Sequence, residues 1–344
     1  MRRRFTPIVL AFASAALFGA ATPASKVLLA RLQPFQLAGL LYLGAALGML
    51  PFAAAQTRPR VGQVGTRNLR RLLGAVAFGG LIAPVLLLAG LRLAPAGSVS
   101  LLLNLEIAAT AVLGALVFAE PLAARGWVGV TGIVVAGALL SGGTWPSIAA
   151  TLLVAGACVC WGLDNQLTAL IDGITPTYTT LCKGAVAGSV NLVIGLAMAP
   201  LGASRGAIVA ALIIGALSYG CSIALYISAA QQLGAVRAQA VFASAPFIGA
   251  ALSYGVLGEA LGVAALVAAP LLVGSVAVLF SGIHAHRHHH AALEHLHLHR
   301  HDDGHHLHTH PGLPAATEHS HPHRHDELVH AHLHWPDLHH RHQH

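Results

Sequence analysis

The sequence predicts an all-α polytopic membrane protein: ten transmembrane helices built as two inverted five-helix repeats, followed by a histidine-rich tail that is disordered or ordered by metal. Three observations predict it. Of 344 residues, 56% are hydrophobic and only 9% are charged, whereas a soluble domain carries about a quarter charged residues. All 24 histidines lie at or beyond His284, so an apolar stretch and a polar tail meet near residue 283. Finally, the segment ending at Glu120 recurs, at an offset of 139 positions, in the segment ending at Glu259.

Crossing a bilayer takes about 20 mostly apolar residues. Breaking the chain at Pro, Gly and charge clusters gives spans at 6–28, 35–55, 71–91, 97–118, 126–142, 148–170, 177–199, 207–230, 237–257 and 261–282. The first follows Met1-Arg2-Arg3-Arg4 and reads as an uncleaved helix rather than a signal peptide, because further spans follow at once. Links such as Leu93 to Ala96 are so short that neighbouring helices run antiparallel. Cys158, Cys160, Cys182 and Cys221 all sit in apolar runs without CxxC spacing and read as small buried hydrophobes.

The net charge of +7 does not point to nucleic acid, and no such partner is expected. Residues 1–283 hold 15 basic and 5 acidic side chains, and the tail holds 4 basic and 7 acidic. Most of the basic residues occupy short loops, which is a topology signal. With a cytoplasmic N-terminus, the inside loops collect Arg2, Arg3, Arg4, Arg58, Arg60, Arg67, Arg70, Arg71, Arg125 and Arg237. The outside loops keep only Arg31, Arg92 and Arg205. The expected location is the cell inner (plasma) membrane, multi-pass, with both termini cytoplasmic; the bilayer is the first partner, and a homodimer is left open.

The repeat matches Ala96 with Ala235, Asn104 with Ala243, Ile107 with Pro246 and Glu120 with Glu259. Upstream, Phe18-Gly19 corresponds to Trp161-Gly162 and Pro34 to Pro176. The expected units are residues 6–142, residues 148–282 and a cytoplasmic tail of residues 283–344. Five spans per half force the second copy into the membrane upside down, an architecture common among secondary transporters.

Phe18-Gly19 with Lys26, Ala96-Gly97, Leu105-Glu106, Trp161-Gly162, and the ends at Glu120 and Glu259 together resemble the EamA-type transporters of the drug/metabolite transporter superfamily over roughly residues 6–282. The resemblance implies ten helices, cytoplasmic termini, and export or exchange of a small solute through a central cavity. Phe18 stands where that family often has Trp, and Leu41-Tyr42 where it often has an Arg-aromatic pair.

Lys26, Glu106, Asp164 and Lys183 fall inside predicted spans, where each charge costs about 2.5 to 3.5 kcal/mol at the helix centre. Two acids and two lysines point to pairing. The candidate cavity residues are Asn104, Glu106, Asp164, Asn165, Lys183 and Asn191. Glu106 lies about 200° around the helix from Asn104, so both cannot face one narrow pore. The plain alternative is a buried ion pair that ties helices together. Lys26 reads as a residue near a helix end that reaches the interface, and Glu120 and Glu259 as loop caps or gates.

In the tail, HxH patterns recur at His295, His297, His299 and His301, at His306, His308 and His310, at His321, His323 and His325, and at His332 and His334. In an extended chain these side chains share a face about 7 Å apart. With no Cys or Met in the tail, they suit Zn(II), Ni(II), Co(II) or Cu(II). No cofactor is required for the membrane region, and no nucleophile–base constellation or cofactor motif suggests an enzyme. The leading expectation is a transporter of a small solute or metabolite, an exporter by the family resemblance, with a metal-binding tail. Two alternatives stand beside it: a transporter of a divalent metal ion or complex (Ni, Co, Zn), and a membrane-anchored metal sensor or store.

Overall fold

The computed structural model describes residues 2–56, 65–118, 122, 124–140, 145–260 and 262–280, and the backbone of four tail segments, 286–290, 293–299, 319–325 and 328–332. Among the described residues, eight helices are long and apolar enough to span a membrane: α1 (Thr6–Leu28), α2 (Pro34–Ala54), α3 (Thr66–Leu93), α4 (Ala96–Val117), α6 (Ile148–Ala169), α7 (Pro176–Met198), α8 (Arg205–Leu233) and α9 (Ala235–Val256). Two shorter apolar helices, α5 (Ala124–Leu140) and α10 (Val263–Leu279), complete the two sets of five. The protein is a multi-pass membrane protein made of two five-helix repeats. Residues such as Leu116, Val193, Met198 and Val263 are exposed on its outside, where lipid covers them.

The helix ends follow from local chemistry. Pro34 and Pro176 open α2 and α7 at the first turn, where the missing N–H is harmless; Thr175 and Ser204 accept N-capping hydrogen bonds from Tyr178 and Ala207. The α8–α9 turn is the single residue Gly234, at φ 83°, a region that favours glycine. Its repeat counterpart is Pro95, which joins α3 to α4.

The main packing pairs join one half to the other: α2 with α7, α5 with α10, α4 with α9, and the exchanged pairs α1 with α8 and α6 with α3. The α2–α7 approach is close, because Gly184 lies against the Tyr42 carbonyl and Ala46, and Gly188 against the backbone at Tyr42 and Leu43. Small residues at such positions let backbones meet without hydrocarbon between them.

Two departures from regular helix repeat in both halves. Helix α3 contains a π-helical segment, Ala75–Ile82, and α8 contains one at Gly215–Cys221. Helix α4 breaks at Leu103–Asn104 and α9 at Ala243, the positions that the 139-residue offset matches. The third and eighth spans accordingly run longer than hydropathy predicted. Broken helices at the middle of the membrane are tolerated where protein covers the freed backbone.

Four strands appear in the tail: β1 (His286–His290), β2 (Leu293–His299), β3 (His319–His325) and β4 (Leu328–His332). β1 pairs antiparallel with β4, and β2 with β3.

Gly188→Leu should drive α2 and α7 apart at an overpacking cost of about 1–3 kcal/mol, seen as a lower melting temperature in detergent. Gly274→Leu, where an added side chain meets nothing within 4 Å, should leave the melting temperature in place.

Candidate functional site

The described helices line a central, partly open cavity of about 40 Å³ between the two halves. Its polar wall is built by α4, α6, α7 and α9. Glu106 lies just past the break in α4, so that its carboxylate faces inward and accepts from Asn165 Nδ2 at 2.8 Å. The same amide lies 3.2 Å from both Thr110 Oγ1 and Gln239 Oε1. One residue back on α6, Asp164 Oδ2 accepts from Lys183 Nζ on α7 at 2.5 Å. Both side chains are almost fully buried, and Asp164 Oδ1 has no hydrogen-bond partner among the described residues. A buried carboxylate oxygen left in that position is an acceptor available to water or solute.

The rest of the cavity is largely aromatic. Phe18, Tyr42, Trp161, Tyr219, Tyr226 and Phe242 line it, with Phe18 at its hub. The Phe18 ring lies 6.4 Å from Trp161, 5.4 Å from Tyr219 and 5.3 Å from Phe242. Tyr42 packs on Tyr219 and Tyr226 on Phe242, at 5.4 and 5.3 Å.

The π segment of α3 holds these walls in place. The Gly79 carbonyl accepts from both the Tyr42 hydroxyl and Trp161 Nε1, and the Gly80 carbonyl accepts from Asn191 Nδ2 at 3.1 Å. A Cβ on Gly79 would overlap the Asp164 carboxylate. Glycine here is what lets α3 approach the ion pair.

The structure thus brings Glu106, Asp164, Asn165 and Lys183 to the cavity. Asn104 and Asn191 lie elsewhere. Asn104 is buried at the break in α4 and donates to the Leu101 carbonyl of its own turn; Asn191 sits one layer out and supports the π segment. Sequence reasoning did not single out Gln239, Thr168 or the aromatic wall. Gln239 had a signal, since it is the 139-offset partner of Ser100 on the small and polar stripe of α4.

A second polar feature joins the halves at the face opposite the termini. Lys26 Nζ donates to the Leu91 and Ala94 carbonyls at 2.7 and 2.8 Å. The Glu259 carboxylate accepts from the backbone N–H groups of Ala96 and Gly97, both at 2.7 Å. The α3–α4 turn is therefore held at its carbonyls by the first half and at its amides by the second. Glu120 lies outside the described residues, as do His301, His306, His308, His310 and His334.

Two inverted repeats meeting around a buried polar cavity define a class: membrane transporters that work by alternating access. The EamA-like transporter family model matches residues 5–142 and 148–281, and the chain belongs to that family, within the drug/metabolite transporter superfamily. It is similar to an uncharacterized transporter of Methanothermobacter thermautotrophicus, at 26% identity over 288 aligned residues covering 76% of this chain and 82% of that one. A solved crystal structure shares the fold at a TM-score of 0.60 and 17% identity, covering 80% of this chain and 98% of its own.

Removing one partner of a buried ion pair costs about 3–5 kcal/mol, while replacing both by apolar residues is often neutral. Asp164→Leu and Lys183→Met should each lower the melting temperature in detergent, and the double replacement should recover most of the loss. Equal losses in all three would show that the two side chains do not act as a pair.

Proposed function

We propose that this protein is a secondary transporter of the cell inner membrane, with cytoplasmic termini, that exports a small organic solute through the central cavity and carries a cytoplasmic divalent-metal-binding tail. The observation that carries the reading is the composition of the cavity: the Asp164–Lys183 pair, Glu106 and an amide cluster together with six aromatic rings. Such walls suit a solute with an apolar body and a polar group, since aromatic faces take up the first and fixed donors and acceptors orient the second. Among the described residues no three His, Cys, Asp or Glu side chains gather where they could hold a metal ion, which sets a bare-cation route behind an organic one.

The cavity supports alternating access as well. A single water needs about 10–15 Å³, so about 40 Å³ accommodates a few waters and no metabolite. A solute enters only when the halves part on one side. The Lys26 and Glu259 contacts close the face opposite the termini, and Arg71 and Gln231 close the face of the termini by donating to the Leu170 and Ile171 carbonyls, so each half-cycle breaks one set; the export direction follows the family resemblance.

The test is counterflow in liposomes reconstituted with purified protein, against a panel of metabolites and the Ni, Co and Zn salts. An organic solute should be carried, Asp164→Asn and Lys183→Ala should cut its transport by about tenfold or more, a loss of about 1.4 kcal/mol in transition-state terms, and deletion of residues 284–344 should leave it intact. Transport of the metal salts alone would reverse the reading in favour of a metal transporter.

A further inference from the structure

Resting on the reading of this protein as a carrier of an organic solute, we infer that the central cavity is built for an organic cation: an amine whose ammonium head meets Glu106 and Asp164 while its apolar body lies among the aromatic rings. The charge count carries this. The carboxyl groups of Glu106 and Asp164 line the cavity together with one ammonium, that of Lys183. Lys183 Nζ bonds Asp164 Oδ2, so that acid is matched. Glu106 takes its bond from a neutral amide, Asn165 Nδ2. A cationic solute supplies the partner that the second acid lacks. An anionic one would bring a further negative group to a site with a single cation, and a buried charge without a partner is costly.

The hydrogen bonds of the lining point the same way. Its donors are largely turned inward on the protein. Asn165 Nδ2 serves Glu106, Thr168 Oγ1 donates to the Asp164 carbonyl at 2.8 Å, and the Tyr42 hydroxyl and Trp161 Nε1 both donate to the Gly79 carbonyl. What remains on the donor side is neutral, at Gln239 and Tyr219. On the acceptor side, Asp164 Oδ1 is buried with no partner among the described residues. A carboxylate also accepts more bonds than the one that Glu106 Oε1 receives from Asn165. Unmet acceptors call for a solute rich in donors, and an ammonium head donates through every N–H and accepts nothing.

The rings complete the site. Around Phe18, the rings of Trp161, Tyr219 and Phe242 pack with centroids 5.3 to 6.4 Å away. A cation within about 6 Å of a ring centroid is attracted by the negative face of the ring, which repels an anion. Because the polar atoms of Tyr42 and Trp161 are held by Gly79, these two rings offer a solute their carbon surface. Glu106 belongs to α4 in the first half, and Asp164 and Asn165 to α6 in the second. An ammonium between the two carboxylates therefore bridges the seam along which the halves part, which ties recognition to closing.

The experiment is equilibrium dialysis of the purified full-length protein in detergent against radiolabelled probes that share one aromatic body and differ in charge: phenethylamine, phenylalanine and phenylpropionate. Phenethylamine should bind tighter than either of the others by about tenfold or more, the scale set by a buried charge pair. Glu106→Gln, which keeps the size of the side chain and removes its charge, should weaken phenethylamine by about tenfold or more without weakening phenylpropionate. Glu106→Asp, which keeps the charge, should retain most of the phenethylamine binding. A glutamate that serves packing alone would give equal losses in both variants and for every probe, and that result would overturn the inference. Tighter or equal binding of phenylalanine or phenylpropionate by the unaltered protein would overturn it as well, and so would a lack of phenethylamine binding. Counterflow of another organic solute in the same preparation then separates failure of the cation site from failure of the transporter reading.

Discussion

Two opposite charges held together in the middle of a bilayer set the terms for the rest of this structure. Lys183 and Asp164 come from neighbouring helices of the second half, yet part of the surroundings that make their burial tolerable comes from the first. Helix α3 must approach closely enough to wall off the pair, and it does so with a glycine and a widened helical turn. That turn leaves the Gly79 and Gly80 carbonyls to be satisfied by side chains, which Tyr42, Trp161 and Asn191 do. Neither half could bury the pair alone. The duplication is therefore a functional partnership, in which the second copy supplies the ion pair and both copies supply the shell around it.

The inverted repeat is exact in architecture and unequal in chemistry. Both halves carry the π segment and the mid-membrane break, so these are properties of the fold. The ion pair, Glu106 and Asn165 have no charged or amide counterparts at the matching positions, where Ala21, Leu41, Ala245 and Thr22 stand. Symmetry thus gives the protein two related ways to close, while asymmetry gives it one place to recognise a solute.

Much of this was legible in the chain. The spans follow from hydropathy because lipid tolerates few polar residues, and the charged cavity residues stand out because an intramembrane charge is costly enough to need a reason. The aromatic wall was hidden, since Phe18, Tyr42 and Phe242 are ordinary residues for an apolar helix and only three-dimensional packing gathers them. Asn104 and Asn191 mark the other limit. A buried amide can serve a ligand or a broken backbone equally well, and composition does not distinguish the two uses. The π segments left no hydropathy signature because they widen a helix without altering its apolar character. The grip of Glu259 on α4 joins residues more than 160 positions apart, which helical periodicity does not reach.

That grip sets an energetic cost on one half of the transport cycle. Opening the face opposite the termini separates α4 from the end of α9, and with it a carboxylate from two backbone amides, each a charge-assisted bond stronger than an ordinary one. Lys26, holding the same turn by its carbonyls, has an alanine, Ala169, as its counterpart in the second half, so the other face has no matching lysine to release. The other face has its own fastening, where Arg71 and Gln231 hold the Leu170 and Ile171 carbonyls: the protein is in effect a door bolted on both sides, and whatever drives the cycle must draw one bolt at a time.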